Sequence, residues 1–177
     1  MSGHNKWSQI KRAKEVTDGA KSKVFGKFAR LIALETKKAG GNPNSPGVRA
    51  VIERAKAENM PKENIERAIA KGSGAGAETL ESVVYETYGP GGIAILIDAL
   101  TDNRNRTAQE MKHLLSKNGC ELAAPGSAAW AFTKSADGSY TPSSTIAVSG
   151  ADEEQLMAIL SQLDDQEDVQ ELYTNAE

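Results

Sequence analysis

From Ala20 to Lys38 the apolar residues Val24, Phe25, Phe28, Leu31 and Ile32 recur at steps of three and four, the spacing that gathers one buried stripe on a helix. Gly40-Gly41-Asn42-Pro43 closes that helix with residues suited to a left-handed cap and to a stop. A second helix is predicted from about Val48 to Glu58, with Val48, Val51, Ile52 and Ala55 together. Pro61 suits the first turn of a third, which carries Ile65, Ala68 and Ile69 inward. Three helices with apolar faces make a bundle. The period then changes. Residues 82–88 are rich in β-branched and aromatic residues, Gly89-Pro90-Gly91-Gly92 is a turn, and Ile93 to Ala99 reads as a buried strand, so a hairpin is predicted. A helix from Arg106 to Asn118 follows, with Thr107 and Glu110 spaced as a capping box and Gly119 at its end. Ser127 to Phe132 reads as a strand, Thr145 to Val148 as another, Asp152 to Leu163 as a helix and Val169 to Tyr173 as a last strand. Two β-α-β passes predict an α+β fold, a ferredoxin-like sandwich with the sheet on one side and the helices on the other.

These segments divide the chain into a basic arm at residues 1–18, a three-helix domain at 19–71, a linker at 72–80 and an α+β domain at 81–177. The linker rests on Gly72-Ser73-Gly74-Ala75-Gly76-Ala77, which has little to bury. The same residues fit a relaxed dinucleotide-binding glycine pattern, but a helix precedes them where that motif needs a strand.

Composition is that of a folded soluble chain, 39% hydrophobic and 25% charged, which excludes wholesale disorder. No apolar run reaches the length of a membrane span, and no signal segment is evident, so the cytoplasm is the expected location. The single cysteine, Cys120, permits no intramolecular disulfide. Charge is unevenly distributed. Residues 1–73 hold 16 Lys and Arg against 7 Asp and Glu, whereas residues 74–177 hold 5 against 17. Such asymmetry points to a polyanion as the ligand of the basic part, because clustered cations release condensed counterions whatever the total charge.

Within the basic part, Lys23, Lys27, Arg30 and Lys37 are spaced to share one helix face, and Lys21 is a further candidate contact. Like charges at this spacing repel, so the row costs stability unless an anion answers it. The arm adds Lys6, Lys11, Arg12 and Lys14 beside Trp7, a ring available for stacking or, with Ile10, for docking the arm. In the acidic part, Asp102-Asn103-Arg104-Asn105-Arg106-Thr107 joins a strand to a helix. Arg104 and Arg106 there allow two readings: a phosphate site at a helix N-terminus, or arginines paired with neighbouring carboxylates. Catalysis has little to work with. His4 and His113 lack partners resembling a triad or zinc site, and Asp164-Asp165-Gln166-Glu167-Asp168 lacks the spacing of a calcium loop.

Five runs in order carry a family resemblance: Gly3-His4-Asn5-Lys6-Trp7 with Ile10-Lys11; Asn59 through Ile69; Tyr85-Glu86-x-Tyr88-Gly89-Pro90-Gly91-Gly92; Leu100 through Thr107; and Asp168 through Tyr173 with Asn175. The chain resembles the YebC/TACO1 family of transcriptional regulators and translation factors. The resemblance implies a helical N-terminal domain followed by α/β domains, with no enzymatic role, no cofactor and no metal. Members of that family carry a further domain inserted within the second, and here only Thr133 to Ser144 spans the interval. The expected function is a nucleic-acid-binding regulator of transcription that holds DNA through the basic part. The alternatives are a ribosome-associated translation factor on ribosomal or transfer RNA, and a protein-interaction module acting through the acidic part. A monomer is favoured.

Overall fold

The computed structural model describes Trp7 and residues 18–74 and 79–177, which fall into two compact units. The first holds three helices, α1 (Asp18–Lys38), α2 (Pro46–Ala57) and α3 (Lys62–Ser73). Ile32, Val51, Ala55, Met60, Ile65 and Ala68 form its buried core, flanked by Phe25, Phe28, Leu31, Ile52 and Ile69. The turns are set by local chemistry. Gly40 and Gly41 take positive φ, and the Gly41 amide donates back to the Thr36 carbonyl at 2.9 Å, closing α1. Ser45 caps α2 by accepting from the Val48 amide, with Pro46 in the first turn. Gly72 lies inside α3, not in a linker. A Cβ placed there would sit 2.4 Å from the Ala33 carbonyl oxygen and 2.8 Å from Thr36 Cβ, so the bare backbone is what lets α3 press against α1.

The second unit is an α+β sandwich, completing the predicted fold class. Its sheet runs β3 (Leu122–Ala123), β1 (Glu81–Tyr88), β2 (Ala94–Thr101), β6 (Val169–Thr174) in spatial order. A helix, α4 (Arg104–Lys117), connects β2 to β3 with β1 between them, a split β-α-β pass. A second helix, α5 (Gly150–Asp164), leads into β6. Ile93, Ile95 and Ile97 face the helices and pack with Met111, Leu115, Leu156, Ile159, Leu160 and Leu163. Asn175 continues β6 through its side chain, whose Oδ1 accepts from the Ala94 amide at 2.8 Å.

Three elements differ from the sequence reading. Ser127 to Phe132 is a turn and a 3-10 helix (Ala129–Ala131), with strand only from Phe132 onward. The amides a strand would have paired are taken instead by one carboxylate, since Glu86 accepts from Gly126, Ala128 and Ala129 at 2.7, 2.7 and 2.9 Å. Thr145 to Val148 contributes a single parallel bridge, Ile146 to Ala176. Finally, the sheet is covered on both faces. Ala94 and Leu96, opposite the helices, pack against Ala128, Ala131 and Phe132, and the interval read as a loop forms a hairpin of β4 (Phe132–Lys134) and β5 (Tyr140–Pro142). An unbroken apolar run from Ile93 to Ile97 has no solvent face, so it needs cover on both sides.

Candidate nucleic-acid interface

Helix α1 has no acidic residue between positions 19 and 34. At 3.6 residues per turn, Lys23, Lys27, Arg30 and Lys37 fall within roughly 80° of arc. Lys21, Lys23 and Lys37 are exposed, whereas Lys27 and Arg30 are half-buried. Leu34, on the same arc, is buried, and each of the four cations makes interactions within the chain. An incoming anion therefore exchanges contacts here and does not meet a bare row. Neighbouring charges are locally matched: Lys38 bonds Glu35 at 2.8 Å, Lys56 bonds Glu53 at 3.0 Å, and Arg54 lies 5.7 Å over the Phe28 ring.

The turn after β2 resolves the two readings of its arginines. Asn103, not Thr107, caps α4, its Oδ1 accepting from the Arg106 amide at 3.1 Å, so the predicted capping box is not the one used. Thr107 is buried, and its hydroxyl donates to Asp168 Oδ2 at 2.6 Å while lying 2.7 Å from the Thr101 hydroxyl. The Asp168 side chain is 2% exposed, and Arg106 meets it at 2.7 Å. The same guanidinium reaches Asp102 at 2.9 Å and Glu110 at 3.6 Å. The Asp168 hydrogen bond and charge hold it firmly protonated, above the usual arginine value. Arg106 is thus the tie between α4 and the start of β6, and its reading as a nucleic-acid contact is corrected: three carboxylates already neutralise it. Arg104 stays exposed at the surface of this unit, where its carbonyl accepts from the Tyr85 hydroxyl at 3.3 Å. Burial pushes the Tyr85 hydroxyl's pKa up, against the pull of the Arg104 charge.

Trp7 requires a second correction. Expected as a stacking ring, it is 1% exposed and belongs to the core between sheet and helices, with Ile93, Ile97 and Met111, leaving no ring face for a base. No local period betrays this, because the core that the ring joins is assembled from residues at Ile93 and beyond. The arm's Lys6, Lys11, Arg12 and Lys14 lie outside the described residues. The functional sequence reading also passed over Glu86, whose carboxylate holds the 126–129 turn. Burial works to raise its pKa, but the three amide donors outweigh it and hold the carboxyl below its usual value.

Among the described residues no cluster of His, Cys, Asp or Glu is arranged to hold a metal ion. Cys120 is buried, which pushes its thiol up, away from nucleophilic use. No described helix is long and apolar enough to cross a membrane.

The profile of the TACO1/YebC protein N-terminal domain matches residues 5–75, and that of the TACO1/YebC second and third domain matches residues 80–136. A protein of Thermotoga maritima named probable transcriptional regulatory protein is 38% identical over 239 aligned positions, covering 100% of this chain and 94% of its own. One of the same name from Fervidobacterium nodosum is 37% identical over 235, covering 99% and 93%. Both alignments run over more positions than the chain has residues, so these relatives carry additional residues within the aligned span. A third, from Thermoanaerobacter pseudethanolicus, is 50% identical over 136 residues, covering 76% of this chain and 55% of its own. The crystal structure of a conserved hypothetical protein, Aq1575 from Aquifex aeolicus, superposes with a TM-score of 0.80 at 29% identity, covering 90% of this chain and 91% of that one. With both profiles matching in order, and with relatives above 35% identity along its length, the chain belongs to the TACO1/YebC family.

Proposed function

We propose that this protein is a non-enzymatic, cytoplasmic regulator of transcription whose helical unit holds duplex DNA by its phosphates. Lys23, Lys27, Arg30 and Lys37 supply the contacts, with Lys21 on the other side of the helix, Arg104 and the arm's Lys6, Lys11, Arg12 and Lys14 as further cations. The observation that carries the reading is the gathering of four cations on one arc of a helix that has no acidic residue along most of its length. The relatives' name, probable transcriptional regulatory protein, supplies the regulatory role. Contacts of this kind are positional and read no base, so binding is expected to be strong in low salt and weakly sequence-selective.

The test is a salt titration of affinity for a DNA duplex. With about six phosphates neutralised, log affinity falls by roughly five per tenfold rise in salt. Replacing Lys23, Lys27 and Lys37, all on that arc, by alanine should roughly halve that slope and weaken binding to every duplex alike. Affinity indifferent to salt, or a triple variant that binds as the parent does, refutes the proposal. Tighter binding to transfer RNA or ribosomal RNA fragments than to duplex at the same salt moves the assignment to translation.

A further inference from the structure

Trp130 is 69% exposed, and it forms a pair with Tyr88, which is 37% exposed. Its indole N–H donates to the Tyr88 hydroxyl oxygen at 2.8 Å, and that hydroxyl donates in turn to the Ser127 carbonyl. The polar edge of the ring is therefore satisfied within the chain while its faces are left open. The turn beneath is fixed. Glu86 fastens three of its amides from below, and Ala128 and Ala131, on either side of the exposed ring, are buried against β2. A ring so held loses little freedom on binding, which is what suits tryptophan and tyrosine to be interface anchors. The unit that carries the pair, residues 1–15 and 82–177, is acidic overall, with 16 Asp and Glu against 9 Lys and Arg. One of those nine, Arg106, is committed to three of the carboxylates. Away from Arg104 and the arm, such a surface repels a polyanion and draws a cation. An open indole face is also the strongest aromatic seat for a guanidinium or ammonium group.

We propose that Trp130 and Tyr88 anchor a docking surface for a cationic protein segment, an arginine- or lysine-bearing stretch of a partner chain, on the opposite type of ligand from the one assigned to the helical unit. The proposal stands independently of DNA binding. The probe is a fluorescein-labelled peptide of alternating arginine and glycine, set against its aspartate-glycine counterpart and a single-stranded oligonucleotide of equal length, each titrated onto the full chain. The chain has two tryptophans, Trp7 buried and Trp130 open, so their indole N–H cross-peaks separate the site from the core. The arginine peptide should shift the Trp130 peak and leave that of Trp7 in place, with affinity weakening in salt. Trp130→Ala should bind it about tenfold more weakly at unchanged circular dichroism and melting temperature, while Trp130→Phe keeps most of the affinity. The proposal fails if the peptide binds Trp130→Ala as tightly as the parent, if no peptide shifts the Trp130 peak, or if the acidic peptide or the oligonucleotide shifts it instead. It fails also if sedimentation shows Trp130-dependent self-association, which would make a second copy the occupant.

Discussion

Glu86→Gln is the sharpest test of how the exposed turn is held. In the parent, Oε1 accepts from the Gly126 amide and Oε2 from those of Ala128 and Ala129, on a residue only 6% exposed. Glutamine offers one oxygen in place of two. Its better orientation keeps the oxygen on Ala128 and Ala129 and turns its NH2 toward the Gly126 amide, donor against donor. One buried N–H is then unsatisfied, at about 1–3 kcal/mol, and two charge-assisted bonds become neutral ones, at roughly 0.5–1 kcal/mol each. Relief from burying a charge offsets part of this, leaving a loss of about 2–3 kcal/mol. Both tryptophans belong to the α+β unit, so urea unfolding followed by their emission reports on the right body. The pH dependence supplies a second check. The folded carboxyl is held below the 4.5 of a free one, so its contribution is complete above that value and is lost as pH falls through the lower, folded value. The gap between parent and variant should be constant at neutral pH and close in acid. A loss below about 0.5 kcal/mol, or a gap that persists once the carboxyl is protonated, refutes the account.

Gly72→Ala forces α3 away from α1 and should cost about 2–3 kcal/mol, seen as an earlier transition in the helical circular dichroism. Arg106→Met leaves the buried Asp168 carboxylate without its counter-charge and should lower the urea midpoint of the α+β unit; adding Asp168→Asn should recover much of the loss, a positive coupling in the double-mutant cycle. Asp98 faces Glu171 across the β2–β6 pair, and burial, reinforced by Glu171 and opposed by Lys134, lifts its carboxyl to about 6. A raised acid costs stability as pH rises through that value. Asp98→Asn should therefore stabilise by about 2 kcal/mol at neutral pH, with the gain vanishing as pH falls toward 3.8, measured by urea unfolding across that range.

Local periodicity made the three helices, the 81–101 hairpin and both helices of the second unit legible, because each buries a stripe that its own spacing reveals. What it missed depends on groups far apart in the chain. Glu86 and Ala128 are 42 positions apart, and that pairing turns an expected strand into a 3-10 turn. Arg106 and Asp168 are 62 apart, and that pairing decides between an anion site and an internal tie. Both alternatives for the arginines were visible in the sequence; only the placement of Asp168 chose between them. The cover on the second sheet face had a signal, the uninterrupted apolar stretch of β2, that a one-sided sandwich does not explain.

That cover also links the structural and functional arguments. Residues 126–142 close the hydrophobic face of Ala94 and Leu96, and the same turn holds Trp130 outward. A side chain needed only for the cover would point in, as Ala128, Ala131 and Phe132 do; the largest ring of the segment points out, with its N–H bonded and its faces bare. Burial of that ring would be worth about 2–3 kcal/mol or more to the fold, so leaving it open forgoes stability that three buried neighbours do not replace. Together with the charge division between the two parts of the chain, this favours a protein that meets two partners of opposite sign: an anion along α1 and a cation at the 126–131 turn.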